Sequence, residues 1–341
     1  MKKRIAVIGA GAIGGIVAGL MARAGEDVTL VCRHEDTVQI CRSPGLHLTG
    51  HCGDMTVPVR AVRDVEDLEG SFDFCLIVTK AYDMPDAAQR MLPHLKADSL
   101  VVSMQNGICT DQLADIVGAQ RTVGCVIGFG ATLHAHGSME MTSGGELIIG
   151  QTVPGQTEQM QALREALSHV TATRISDRIY EELYSKMIVN ACITSLGAIC
   201  GLLLGQMMNR RDARRIFLGI IREAVQVADR LNLKLPPYGG KLDYARLMHG
   251  NSPLDDVRRH VTIWVVGVKY RHLKSSSLQS LERGQKTEVD GFNGYIAEKG
   301  RACGVDCPVN ARLVEMIHEI EQGKRKICTD NLQDAGLVAH C

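Results

Sequence analysis

The chain is poor in aromatic residues, carries no net charge and has no closely spaced cysteine pair. Phe, Tyr and Trp make up 4% of its 341 residues, and Trp264 is the single tryptophan. Lys and Arg together number 38, as do Asp and Glu. With no basic stripe and no aromatic-bearing RNA motif, nucleic acid is not an expected partner. The twelve cysteines are scattered, and no C-x-x-C pair occurs. Cys303 and Cys307 are the nearest two, so no metal site is expected. Scattered thiols suit a reducing compartment, and the expected location is the cytoplasm. No low-complexity linker and no internal repeat interrupts the chain.

What the sequence does have is concentrated near its start. A buried strand, Ile5 to Ile8, runs into Gly9, Gly11 and Gly14, and a helix opens directly behind them. This is a G-x-G-x-x-G turn in strand–turn–helix context. Gly9 allows the tight turn, Gly11 lets a pyrophosphate approach the backbone, and Gly14 lets helix and strand pack closely. The helix N-terminus then offers N–H groups and partial positive charge to phosphates. Lys2-Lys3-Arg4 before the uncharged run has the outline of a secretory signal, but five glycines make a poor continuous helix and no convincing cleavage site follows. A membrane span with Gly11, Gly15 and Gly19 as a dimer face fails because turn glycines break the run and no companion span exists.

The second strand, Val28 to Cys32, ends in Arg33-His34 rather than in the acid that usually holds a ribose 2′-hydroxyl. A guanidinium suits a 2′-phosphate, so the tip favours NADPH over NADH or FAD. Glu35 and Asp36 nearby keep NADH open.

Further along, Gly45–Gly50 and Met55–Val62 read as a hairpin on the sheet edge. Phe72–Thr79 is a buried parallel strand ending at Lys80, and Ser99–Met104 is the next, ending at Gln105-Asn106-Gly107. Arg121–Ile127 is another strand, and Gly128–Gly145 is a glycine-rich segment bearing His134 and His136, read as a polar loop. Strands alternating with helices predict an α/β, Rossmann-type, doubly wound parallel sheet. Ligands bind such sheets at the carboxyl ends of the strands, where Lys80 and Asn106 lie. Beyond Asp177 the pattern is almost wholly helical. The expected organisation is a dinucleotide domain over 1–177, an all-helical domain over 178–326, and a tail over 327–341 of the kind that is disordered unless tied down.

Within the helical half, the run from Met187 is apolar nearly all round and so belongs to a buried helix. Lys186, Asn190 and Thr194 interrupt it at every fourth position and form one polar stripe. Buried polar groups without partners cost about 1–3 kcal/mol each, so the stripe needs partners, water or a ligand. An ordinary solvated Lys186 is the equal alternative on pattern alone. A second cluster runs from Lys274 to Gln279 and from Lys286 to Gly294, and it includes Ser276 and Glu288. Pattern alone favours two solvated helical faces there.

These stretches together resemble the ketopantoate reductase (2-dehydropantoate 2-reductase) family from Ile5 to about Ile320. The carriers are Gly-Ala-Gly-Ala-Ile-Gly at 9–14, Arg33, Val-Thr-Lys-Ala-Tyr at 78–82, Gln-Asn-Gly at 105–107, Tyr-Ser-Lys-Met-Ile-Val-Asn at 184–190, Ser-Ser-Ser-Leu-Gln at 275–279, Thr-Glu-Val-Asp-Gly-Phe-Asn-Gly at 287–294 and Gly-Val-Asp-Cys-Pro-Val-Asn at 304–310. The resemblance implies a helical domain like the C-terminal domain of 6-phosphogluconate dehydrogenase. It implies NADPH over Gly9, Ala10, Gly11, Ala12, Ile13 and Gly14, with Arg33 and Lys80 near the 2′-phosphate. Asn106 would lie near nicotinamide and substrate. Lys186 matches the catalytic proton donor, and Asn190, Thr194 and Ser276 match substrate-binding positions. Glu288 matches the glutamate that holds the substrate hydroxyl and also reaches the cofactor. The implied activity is reduction of the small 2-oxo acid ketopantoate to pantoate, for pantothenate and coenzyme A synthesis. The alternatives are a paralogue acting on another 2-oxo acid and a non-catalytic NADPH-binding regulator. Thr194 stands where well-known members carry a second asparagine, Ser280 replaces a usual Asp, and 231–274 is longer than in compact members. The C-terminal helices could pair two subunits.

Overall fold

The computed structural model describes residues 2–155, 157–240 and 242–340. Two compact units, Met1–Leu183 and Tyr184–Cys341, make up the chain.

The first unit is built on short, β-branched, apolar runs that are buried on both faces, as the strands of a covered parallel sheet must be. Its strands are β1 (Arg4–Ile8), β2 (Asp27–Val31), β3 (Leu46–Gly50), β4 (Met55–Val57), β5 (Arg60–Val62), β6 (Phe72–Ile77), β7 (Leu95–Ser103), β8 (Thr122–Ile127), β9 (Gly130–Ala135), β10 (Ser138–Ser143), β11 (Leu147–Gln151) and β12 (Thr173–Ile175). Helices α1 (Ala12–Arg23), α2 (Glu35–Arg42), α3 (Met84–Met91), α4 (Thr110–Val117) and α5 (Thr157–Ser168) connect them. The main sheet has the order β12-β11-β8-β7-β6-β1-β2-β5. It is parallel except where β11 runs against β8. The doubly wound α/β expectation therefore holds, with a reversed edge.

Two expectations are corrected. The segments 45–50 and 55–62 do not form a hairpin on the main sheet. Strands β3 and β4 pair antiparallel in a second, four-stranded sheet of order β4-β3-β10-β9, and only β5 joins the main sheet. The glycine-rich stretch after Gly128 is not a loop, because it supplies β9 and β10 to that second sheet. The reason lies in alternation: Met139 and Met141 are buried, whereas their neighbours Ser138 and Glu140 are half-buried. His134 is a strand residue paired with Glu140 at 2.8 Å, and His136 meets the Thr37 hydroxyl at 3.1 Å. Helix α1 lies on this second sheet through its small residues. Met139 fills the space where a Cβ on Gly15 would sit, and Leu48 does the same at Gly19.

The second unit is helical: α6 (Ile179–Cys200), α7 (Leu204–Asn209), α8 (Arg211–Arg230), α9 (Tyr244–Met248), α10 (Pro253–Lys269), α11 (Ser276–Glu282), α12 (Asn293–Cys303), α13 (Pro308–Glu321) and α14 (Ala335–Val338). The division between units falls inside α6, after the expected boundary at 177. The first turn of α6 belongs to the first unit because Ile179 and Leu183 occupy the space above Gly124, 2.9 Å from where its Cβ would be. Among the described residues α6 is the one helix long and apolar enough to cross a membrane, and 83% of its apolar window is buried. It is a core helix.

The tail also departs from expectation. The Asn331 amide donates to the Ile199 carbonyl at 2.8 Å, and Leu332 and Leu337 are fully buried. Arg312 holds Asp334 through paired contacts of 3.0 and 2.9 Å. Buried leucines and a charge pair order a segment that sequence position alone suggested was loose.

Candidate active site

Gly9 has φ +114°, and its N–H donates to the Val31 carbonyl at 3.0 Å. A Cβ on Gly14 would collide with the Gly9 carbonyl oxygen. A Cβ on Gly11 would meet nothing of this chain within 4 Å. Gly9 and Gly14 are thus required by the protein's own packing, whereas Gly11 faces open space at the start of α1. That is the cradle a dinucleotide pyrophosphate fits, on backbone N–H groups at a helix N-terminus. Beside it, Thr79 has a buried hydroxyl with no hydrogen-bond partner among the described residues, and its backbone N lies 3.2 Å from where a Cβ on Gly9 would be. An orphaned buried hydroxyl at such a turn is what a bound ligand would satisfy.

The strand ends around this turn carry the other expected groups. The exposed Arg33 follows β2 and pairs with Asp83 at 3.1 Å. Lys80 and Asp83 share the loop between β6 and α3, and Lys80 is exposed. Asn106 follows β7 and is half-buried. Its loop is fixed by buried Gln105, which accepts from the Ser103 hydroxyl at 2.6 Å and donates to the Ile77 carbonyl at 2.8 Å. β7, β6, β1 and β2 are neighbours in that order, so Asn106, Lys80, the glycine turn and Arg33 share one sheet edge.

In the helical unit, Lys186 and Asn190 are half-buried on α6, and Thr194 is buried. The Thr194 hydroxyl donates to the Asn190 carbonyl at 2.7 Å, which satisfies it within the helix. Ser275 is buried against the same helix. Its Oγ donates to the Thr194 carbonyl at 3.4 Å and accepts from the Leu278 N–H at 3.2 Å, capping α11. Gly197 makes this approach possible, since a Cβ there would lie 2.7 Å from the Ser275 Cβ. Ser276 is the exposed first residue of α11. Glu288 is half-buried before the short 3-10 turn Val289–Gly291. Its neighbour Thr287 donates through N–H and hydroxyl to Glu321 at 2.7 and 2.8 Å.

A buried polar chain ties these pieces together, and sequence reasoning missed it. The Ser195 hydroxyl donates to Asn293, whose amide donates to Asn310 at 2.9 Å. Glu223 on α8 accepts from Asn310 Nδ2 at 2.7 Å and from the N–H groups of Val309 and Asn310 at 2.8 and 3.0 Å. All four residues are buried. Burial pushes the Glu223 carboxyl above its ordinary pKa, and the Asn310 and Val309 donors pull against that rise. The signal was present: Glu223 sits among Ile216, Ile220, Ala224 and Val227, on the apolar face of α8. A charged residue there needed partners. Asp83 was missed because its strand-end neighbour Arg33 is fifty positions away.

Against known proteins, the family model described as ketopantoate reductase PanE/ApbA matches residues 5–154, and its C-terminal model matches residues 178–321. The chain belongs to the ketopantoate reductase family. The 2-dehydropantoate 2-reductase of Archaeoglobus fulgidus is 28% identical over 326 residues, covering 94% of this chain and 99% of that one. A crystal structure of a PanE/ApbA family ketopantoate reductase from Ralstonia eutropha JMP134 superposes with a TM-score of 0.80 at 28% identity, covering 94% and 99% of the two chains. D-mandelate dehydrogenase with NADH and anilino(oxo)acetate also reaches 0.80, at 22% identity and 95% and 100% coverage, and so shares the fold. Membership makes this chain one of a family of oxidoreductases.

Proposed function

We propose that this member of the ketopantoate reductase family is an NADPH-dependent reductase of 2-dehydropantoate, forming pantoate. The observation that carries the reading is the half-buried Lys186–Asn190 stripe, on a helix to which both the Ser275–Ser276 cap and the Glu288 segment are fastened. A bound nicotinamide dinucleotide supplies hydride to the substrate's 2-oxo carbon. Lys186 stabilises the negative charge developing on the oxygen and then gives that oxygen its proton. Asn190 and Ser276 orient the substrate, and Glu288 accepts a hydrogen bond from its hydroxyl. Thr194 contributes less than an asparagine would, because its hydroxyl is already donated to the helix backbone. Arg33 and Lys80 offer two cations for a 2′-phosphate, and the loop that carries Asn106 is tied to β6 by Gln105.

The test is NADPH oxidation over a panel of 2-oxo acids. Ketopantoate should be the best substrate, and Lys186→Ala should lower kcat about 10²–10⁴-fold while NADPH binding, read by fluorescence, persists. Thr194 also favours a second reading, a paralogue with another 2-oxo acid as substrate. Turnover of such an acid about a hundredfold faster than ketopantoate, on a scale where 1.4 kcal/mol is tenfold, would replace the first reading.

A further inference from the structure

The tip of β2 is short of positive charge for a phosphate site. Arg33 and Lys80 are cations, whereas Glu35, Asp36 and Asp83 are carboxylates on the adjoining turns. Asp83 already pairs with Arg33 at 3.1 Å. Glu35 and Asp36 stand in the first turn of α2, where they suit the helix dipole but repel an incoming phosphate. Glu35 is drawn along the helix, because it accepts from Gln39 at 2.6 Å. A phosphate monoester carries about −1.5 to −2 charge near neutral pH, so this balance matches it poorly without a further donor.

Two imidazoles stand at the same tip. His34 follows Arg33 directly and is the N-cap of α2. Its carbonyl accepts the N–H groups of Thr37 and Val38 at 3.0 and 3.2 Å, which fixes its backbone. Its exposed ring lies edge to face with that of His136, 4.8 Å between centroids at 61°. His136 comes from the turn between β9 and β10 and meets the Thr37 hydroxyl of α2. That turn is seated on α2, since Ile40 fills the space over Gly137. It is also tied to β3, whose His47 N–H donates to the Gly137 carbonyl at 2.8 Å. The second sheet thus reaches across to brace one ring beside Arg33. The charged groups around the two rings are Arg33 at the end of β2, Glu35 and Asp36 of α2, and Lys80 and Asp83 of the β6–α3 loop. His134 and Glu140, on β9 and β10, are paired with each other.

We propose that His34 is a third ligand of the cofactor's 2′-phosphate, beside Arg33 and Lys80, and that His136 is the positioning residue that holds its ring. Given the NADPH reading on which this rests, the imidazole sets how strongly NADPH is preferred over NADH. A neutral imidazole donates one hydrogen bond to the phosphate, and a protonated one adds a charge. Two touching imidazoles resist carrying two protons, since like charges repel, and a dianion beside them relieves that cost. Imidazole is the side chain whose ordinary titration falls between about pH 5 and 8. The histidine contribution to NADPH preference is therefore greatest at the acid end of that range and declines as pH rises. Ionisation of the phosphate runs the other way, because its second proton leaves near about pH 6 and the dianion binds Arg33 and Lys80 more strongly.

Fluorescence titration of the full-length protein with NADPH and with NADH, from about pH 5.5 to about pH 8.5, tests this. His34→Ala should weaken NADPH about three- to fivefold at the acid end and leave NADH within about twofold. It should also remove the histidine-driven decline in preference with pH, so that only the opposite trend of the phosphate remains. His34→Lys supplies a cation that does not titrate in this range and should hold the preference at the alkaline end. His136→Ala should lower the preference by less than His34→Ala does. The double variant should lose no more than His34→Ala alone, because His136 acts through His34. A Kd ratio and pH trend unchanged in His34→Ala overturn the assignment of His34 while leaving the NADPH reading in place. Equal weakening of NADPH and NADH, or a His34→Lys variant no better than His34→Ala, overturns it as well. A parent that binds NADH but not NADPH at every pH overturns the NADPH reading together with it.

Discussion

Replacing Glu223 probes how the helical unit holds its chemistry in place. The carboxylate accepts three hydrogen bonds, two of them from the first-turn N–H groups of α13, and so serves as a distant cap at that helix's positive end. Hydrogen bonds to a charged acceptor are worth about 1.5–3 kcal/mol each, but relief of the buried charge offsets part of the sum. Removing one side of a buried, hydrogen-bonded charged group costs about 3–5 kcal/mol, which we expect for Glu223→Ala. At about 2–4 °C per kcal/mol for a domain of this size, the melting temperature of the helical unit should fall by about 10 °C. Glu223→Gln keeps an acceptor but turns an NH₂ toward N–H donors, so a loss of about 1–3 kcal/mol is expected. Protonation gives a second readout. The folded pKa is raised above the unfolded value, so the folded unit binds the extra proton. The contribution is fully present below the ordinary carboxylate pKa and declines as pH rises through the folded value. Denaturant titrations across that range should show this slope in the parent and lack it in Glu223→Gln. A Glu223→Ala variant within about 1 kcal/mol of the parent, or an unchanged slope in Glu223→Gln, would refute the assignment of Glu223 as the anchor of this network.

Other substitutions separate the remaining roles. Gly11→Ala should fold like the parent, because its Cβ would meet nothing of this chain, yet under the proposed function it should lose NADPH affinity at least tenfold by fluorescence titration. Gly14→Ala should instead lower thermal stability, since its Cβ meets the Gly9 carbonyl, and equal behaviour of the two variants would contradict these separate duties. Asp83→Asn frees Arg33 from its partner and should raise the NADPH-to-NADH ratio of kcat/KM about two- to fivefold, the scale of an exposed ion pair. An unchanged ratio would mean that Asp83 does not compete with the 2′-phosphate. Asn331→Ala removes the side-chain donor to the Ile199 carbonyl, which keeps the Cys328 N–H, and should cost about 0.5–1.5 kcal/mol in chemical denaturation.

Long-period and strongly apolar patterns were the legible part of this chain. The β1–α1 turn, the strands at Phe72 and Ser99, the helix over Thr110–Val117 and the all-helical second half follow from burial and spacing that neighbouring residues enforce. The errors lie where partners are remote in sequence. Strand β3 pairs with β10, ninety residues away, and no local signal distinguishes a hairpin on one sheet from a hairpin shared with another. Likewise the tail is ordered by Ile199 and Arg312, neither of which is visible from residues 327–341. At the site, the stripe on α6 was legible because it breaks an apolar helix at regular spacing. The Arg33–Asp83 pair was not, since an ion pair between two loops leaves no periodic trace.

The stripe itself divides once its hydrogen bonds are followed. Thr194 is satisfied by its own helix, and Ser195, one position on, faces Asn293 and the buried chain to Glu223. Lys186 and Asn190 remain half-buried, in reach of solvent. One helix thus carries an internal polar side that fixes α12 and α13, and a wetter polar side able to meet a substrate. The two should respond differently to truncation. Asn190→Ala removes a partly hydrated amide, so stability should change by less than about 0.5 kcal/mol while KM for the 2-oxo acid rises. Ser195→Ala leaves the Asn293 acceptor buried without its donor, which costs about 1–3 kcal/mol, and activity should fall only as far as the fold loosens. If instead Asn190→Ala destabilised the unit as much as Ser195→Ala and left KM alone, the stripe would be packing throughout, and the catalytic reading of Lys186 would lose its support.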